Sequence, residues 1–253
     1  MSIANETSVK QEPAVELQGI TRRFGDAPVL DGISLTIPKG ELFGLLGPSG
    51  SGKTTLIKLI TGIDRANAGT VHMLGVPMPR LSMLQAFGYM AQSDALYQEL
   101  TGRQNLEFFG AMFGLKRQRL KERILSVAET VQLSEHLNKQ TSAYSGGMKR
   151  RLSLAIAMLH EPELLILDEP TVGIDPVLRQ SIWSELFALT KRGVTIIITT
   201  HVMDEAEKCD RLGLIRDGKL IAVDTPAEIV RKAGCGTIEE AFIALGRMGG
   251  EAS

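Results

Sequence analysis

Residues 41–60 read ELFGLL-GPSGSGKT-TLIKLI, and this stretch decides the fold. The run 41–46 is short and apolar, as in a strand buried on both faces, and 56–60 carries the apolar spacing of a helix. Between them Gly47-Pro48-Ser49-Gly50-Ser51-Gly52-Lys53-Thr54 satisfies G-x-x-x-x-G-K-[ST], with Thr55 following. Glycines at 47, 50 and 52 let the backbone curl so that consecutive N–H groups face one anion, and the helix behind adds its positive end. Lys53 is placed to reach a β- or γ-phosphate as a point charge, and Thr54 offers a hydroxyl to Mg²⁺. A nucleotide site is expected here.

Working outward, 164–167 is a second buried apolar run, and it ends in Asp168-Glu169. The carboxyl end of a strand in an open parallel sheet is where ligand groups are delivered, so Asp168 is expected in the Mg²⁺ shell. Side chains alternate along a strand, so Glu169 points elsewhere and can address an attacking water as general base. Further apolar runs at 194–199 and 212–215 alternate with helical patterns, which predicts a mostly parallel sheet with helices on both faces. Half-exposed strands at 15–20, 33–37 and 70–74 predict an antiparallel β edge near the N-terminus. Asp217-Gly218 is a hairpin signal, and Thr225-Pro226-Ala227-Glu228 predicts a helix start. From 93 to 160 the strand runs vanish, and 105–113, 119–132 and 146–159 carry helical spacing, so this segment reads as an inserted helical subdomain. A last short helix is expected at 238–245, with polar tails at 1–12 and 247–253 around a single domain, 13–246.

The whole chain has 253 residues, Lys+Arg 28 against Asp+Glu 29, net charge -1 and 43% hydrophobic residues. This balance fits neither a basic nucleic-acid module nor a disordered acidic tail, and no nucleic-acid partner is expected. No apolar run approaches the ~18 residues of a membrane span, and 1–12 lacks the blocks of a leader peptide. Cys209 and Cys235 are too few for a disulfide framework or a zinc cluster, which suits the cytoplasm. The run Lys149-Arg150-Arg151 reads as a solvated helix face, and His72, His136 and His160 as surface or cap residues.

Tyr144-Ser145-Gly146-Gly147-Met148, directly before a helix, adds specificity that the phosphate loop lacks. With it, the sequence from 15 to 245 resembles the nucleotide-binding subunit of ATP-binding cassette transporters. The resemblance implies a P-loop NTPase fold with a RecA-like sheet, ATP and Mg²⁺ as ligands, and ATP hydrolysis. It implies a head-to-tail dimer, read here as a homodimer, in which Ser145, Gly146 and Gly147 of one subunit complete the ATP site of the other. It carries Gln92 over as a residue touching Mg²⁺ and water, Asp175 as the acidic member of an interface loop, and His201 as the switch histidine beside Glu169 and the γ-phosphate. Phe24 stands where the family stacks an aromatic ring on adenine; as a residue type it fits a satellite core position equally well.

Met148 departs from the glutamine common in the family. Followed by Lys149-Arg150-Arg151, it resembles the single-cassette ATPases of bacterial drug and lipid exporters. That subgroup implies a separate membrane permease and a place on the inner face of the cell membrane. The competing reading is a soluble cassette ATPase of DNA repair or translation, but such relatives carry two cassettes or a long coiled-coil insert, and the interval from Gln92 to Ser145 holds neither. A kinase or GTPase sharing the phosphate loop would leave the Ser-Gly-Gly corner without a role.

Overall fold

A computed structural model describes residues 12–93 and 95–248. The tails expected at 1–12 and 247–253 fall outside this range apart from Glu12, Arg247 and Met248. Among the described residues the strands form two sheets. The first joins β1 (Val15–Phe24), β2 (Ala27–Ile37), β4 (Ala68–Met73) and β5 (Val76–Pro77) in the order β2-β1-β4-β5, all antiparallel. The second joins β3 (Leu42–Leu46), β6 (Phe87–Met90), β7 (Leu164–Asp168), β8 (Thr195–Thr200), β9 (Arg211–Arg216) and β10 (Lys219–Asp224) in the order β10-β9-β3-β8-β7-β6. Here all neighbours run parallel except β9 and β10, which turn through Asp217-Gly218 with both residues at positive φ, as that dipeptide predicts.

The antiparallel strands therefore form a sheet of their own, packed over one face of the parallel sheet. The reason lies in the pleat. Along β3, Phe43 and Leu45 face a core shared with Val15, Leu17 and Ile33 of the antiparallel sheet, while Leu42 and Leu46 face the opposite core. β7 divides the same way, with Leu164 and Ile166 on one side and Leu165 and Leu167 on the other. Strands apolar at every position are thus buried twice.

Helix α1 (Lys53–Ile60) lies in the first core through Leu56, Ile57 and Ile60. The second core is covered by α4 (Gly146–Met158), α5 (Pro176–Lys191), the short α6 (Met203–Ala206), α7 (Pro226–Ala233) and α8 (Ile238–Met248). Thr225 caps α7 by accepting from the Glu228 amide at 3.2 Å, with Pro226 at the first helical position, as expected. Helices α2 (Gly102–Met112) and α3 (Arg117–Thr130) stand between β6 and α4 in the chain, and Thr101 and Gln104 close a capping box at the start of α2. Helix α4 packs both on α2 and α3 and on β6 and β7, so it joins the helical segment to the parallel sheet.

Candidate functional site

The strand register gathers the predicted residues at one edge. Leu46 pairs with Thr200, Asp168 with Thr199 and Met90 with Leu167, so β3, β6, β7 and β8 end side by side. The glycine loop, Gln92, Asp168-Glu169 and His201 follow these four carboxyl ends, where an open α/β sheet presents its ligand groups. A cleft of about 440 Å³ opens there, lined by Ser49, Gly50, Gly52, Lys53, Thr54 and Thr55 of the loop together with Gln92, Glu169 and Phe24.

The loop is held from behind. A Cβ on Gly47 would sit 2.3 Å from the Ile215 carbonyl oxygen, and one on Gly52, at φ 106°, 2.6 Å from Leu30 Cδ2. Both glycines are therefore required by the chain's own packing. The Lys53 ammonium donates to the Gly47 and Pro48 carbonyls at 2.7 and 2.9 Å, inside the curl. Burial pulls its pKa below the ordinary lysine range, while the nearby carboxylates of Glu169 and Asp168 pull it back up.

Asp168 is wholly buried. Its Oδ1 accepts from the Thr199 hydroxyl, while its Oδ2 is buried with no hydrogen-bond partner. A buried carboxylate oxygen left bare is costly unless a cation meets it, and a hard divalent ion takes oxygen ligands. With the Thr54 hydroxyl and the Gln92 amide on the same cleft, the donor set fits Mg²⁺.

Glu169 adopts φ 53°, a left-handed conformation rare for a residue with a Cβ. Its N–H donates to the Thr199 carbonyl and hydroxyl at 3.2 and 3.0 Å, and its Oε1 lies 3.1 Å from His201 Nδ1. The backbone turn sends this carboxylate into the cleft while that of Asp168 stays buried, so the expected divergence of the two acids is present. Phe24 is 54% exposed, with the Arg22 guanidinium 4.3 Å over its ring, so it is not a satellite core residue.

Ser145, Gly146, Gly147 and Asp175 do not line this cleft. Ser145 caps α4, its Oγ accepting from the Met148 amide at 3.2 Å, and Ser145 and Gly146 are exposed. Nothing lies within 4 Å of a Cβ built on Gly146. Asp175 caps α5 by accepting from Leu178 N at 3.0 Å, with Pro176 at the first helical position. The two corners are neighbours, since a Cβ on Gly147 would lie 3.2 Å from the Gly173 carbonyl. Met148 turns into the apolar contacts of the helical side.

Three features escape the sequence reading. Arg150 is not on a solvated face: it is 7% exposed and its guanidinium donates to backbone carbonyls at and just beyond the ends of β6 and β7. Its spacing with Leu154 and Ala157, both buried, is the signal that could have placed it on the inner face of α4. Glu205 is buried and accepts from the hydroxyls of Thr171 and Thr200, tying the loop after Glu169 to the residue before His201. His160 is a half-buried ring rather than a surface group, stacked on Phe113 at 3.9 Å and 3.1 Å from the Phe87 carbonyl.

A family profile described as "ABC transporter" matches residues 30–172. The "Nod factor export ATP-binding protein I" of Rhizobium meliloti is 44% identical over 230 residues, covering 89% of this chain and 69% of that protein. The "Probable multidrug ABC transporter ATP-binding protein YbhF" of Escherichia coli (strain K12) is 40% identical over 241 residues, covering 92% of this chain and only 42% of its own length. A solved structure described as "Structure of ATP binding subunit of ABC transporter" superposes with a TM-score of 0.84 at 27% identity, covering 92% of this chain and 99% of that one. The soluble repair or translation reading finds no support in these relatives. The kinship runs along nearly the whole length of a chain that carries its phosphate loop and buried acid on one sheet edge, so the chain belongs to the ABC transporter family as an ATP-binding, ATP-hydrolysing subunit.

Proposed function

We propose that the chain powers export through a separate permease, by closing on a second copy of itself over two ATP molecules and reopening on hydrolysis. The observation that carries this reading is the Ser145-Gly146-Gly147 corner, exposed at Ser145 and Gly146, a helix N-terminus suited to an anion that does not line its own chain's cleft. A twofold, head-to-tail pair brings each corner to the other copy's γ-phosphate. Phe24 supports the adenine end by stacking, with Gly47 through Thr55 around the phosphates. Residues 93–160 serve as the insert that carries the corner, and Asp175, beside it, meets the partner.

In hydrolysis a water attacks the γ-phosphorus, its proton passes to Glu169, and ADP leaves with the electron pair of the broken P–O bond. His201 holds the Glu169 carboxylate from Oε1 and faces the same phosphate, while Lys53 and the partner's serine corner spread the developing charge. Mg²⁺, held by Thr54, Asp168 and Gln92, supplies charge neutralisation at the phosphate oxygens when bound.

Export is favoured by the relatives, whose names give Nod factor export and, as probable, multidrug transport. Among the described residues no helix is long and apolar enough to cross a membrane; the reading places the path for cargo in a separate permease, which holds this chain at the inner membrane face. An apolar cleft of about 520 Å³ between Ile63, Leu81 and Leu84 on one side and Phe109, Met112 and Phe113 on the other supports a seat for a permease helix.

The test is Glu169→Gln. With ATP and Mg²⁺ the variant is expected to elute at twice the monomer mass and to turn over at least ~10² more slowly. Wild-type turnover refutes the base assignment, and elution as a monomer refutes the pairing.

A further inference from the structure

Arg150 sits one helical turn beyond Gly146, on the inner face of α4. Its guanidinium donates to the Ala91 and Gln92 carbonyls at 2.9 and 2.8 Å, and to the carbonyls of Asp168 and Glu169, the latter at 2.6 Å. One planar fork thus spans the ends of two adjacent strands, β6 and β7. A lysine ammonium, a single point on a flexible stem, cannot meet four carbonyls set out in this way. The Glu169 peptide is consequently gripped from both ends: Thr199 takes its N–H and Arg150 its carbonyl. That grip matters because Glu169 is at φ 53°, a conformation that persists only where the surroundings over-determine it. The same turn aims the carboxylate into the cleft.

We propose that Arg150 is a positioning residue for ATP hydrolysis, locking the backbone turn that aims Glu169 and anchoring that turn to α4, the helix that opens at Ser145-Gly146-Gly147. The inference rests on the reading of Glu169 as general base. Arg150 does not line the cleft; it acts through the Glu169 backbone.

The test compares Arg150→Lys and Arg150→Gln, each alone and combined with Glu169→Gln, in the full chain. With Glu169 present, both are expected to lower kcat about 10- to 100-fold, since a misaim of the order of an ångström costs that much. KM for ATP and equilibrium binding of a fluorescent ATP analogue with Mg²⁺ should change by less than about threefold. In the Glu169→Gln background, where no carboxylate remains to aim, either replacement should alter the residual single-turnover rate of radiolabelled ATP by less than about twofold. Arg150→Lys keeps the charge and decides the matter if Arg150→Gln fails to fold. Wild-type kcat in the lysine variant overturns the proposal. So does an equal loss in the two backgrounds, or a kcat loss matched by a loss of nucleotide binding. Wild-type turnover of Glu169→Gln by itself refutes the underlying base reading instead, a result that the Arg150 variants alone do not produce.

Discussion

Two glycine-rich corners stand at the starts of two helices, and they are built on opposite terms. At the phosphate loop, Gly47 and Gly52 have no room for a Cβ, because the Ile215 carbonyl and the Leu30 side chain of the same chain occupy it. At the Ser145-Gly146-Gly147 corner, a Cβ on Gly146 meets nothing within 4 Å, and its φ is unexceptional. The first loop is specified by the fold. Nothing within the described residues asks for a glycine at 146, and the dimer proposal supplies a reason from outside, the partner's phosphate.

The comparison breaks most visibly at its first member. Gly47→Ala forces backbone to move and is expected to cost about 3 kcal/mol and to weaken nucleotide binding beyond ~10²-fold, read by thermal melting and fluorescent nucleotide titration. Gly146→Asp should leave the melting temperature unchanged or slightly raised, since a carboxylate in the first turn suits the helix dipole. Its charge opposes a γ-phosphate arriving from the partner, so turnover should fall about 10²-fold while monomer nucleotide binding stays intact. A wild-type rate in this variant would erase the distinction between the corners.

Glu205 sharpens the comparison, because it joins Thr171, on the loop leading to Gly173 and Asp175, to Thr200, just before His201. Glu205→Ala leaves two buried hydroxyls without their acceptor and should cost about 2 to 3 kcal/mol in chemical denaturation. Retention of full stability would show that the two regions are held together by other contacts.

The smallest effect is a control outside both corners. Burial pulls the His160 pKa below the ordinary 6.5, against a raising contribution from the Phe87 carbonyl and with a further lowering one from Arg123. The unfolded chain thus binds a proton that the folded chain resists. The contribution of this residue is present above pH ~6.5 and is lost as the pH falls from there through the lowered folded pKa. His160→Gln should flatten that part of the pH–stability curve, measured by denaturant titration from pH ~7.5 to ~5.5.

Much of the fold was legible because its signals are local. The phosphate loop, the Asp217-Gly218 hairpin and the Thr225-Pro226 cap each depend on a few adjacent residues, and each has the form its chemistry requires. The strands were underestimated in length: β1 runs on to Phe24 and β2 begins at Ala27, since their exposed ends lose the apolar signature while keeping their ladder bonds. Arg150 was misread for a related reason, because three consecutive basic residues look alike until the helix is wound and one of them turns inward.

The sequence by itself determined that a triphosphate loop follows a buried strand, that two acids end another, and that a Ser-Gly-Gly corner opens a helix, since these follow from residue type and spacing. Only the tertiary structure decided which of these groups meet. Strand order and register bring Thr199 to Asp168 and Arg150 to the Glu169 turn, and they leave the Ser-Gly-Gly corner outside the lining of its own cleft. Contacts between residues distant in the chain depend on how the two sheets stack and how α4 lies across β6 and β7, and that packing is set by the burial of many side chains at once rather than by any local run.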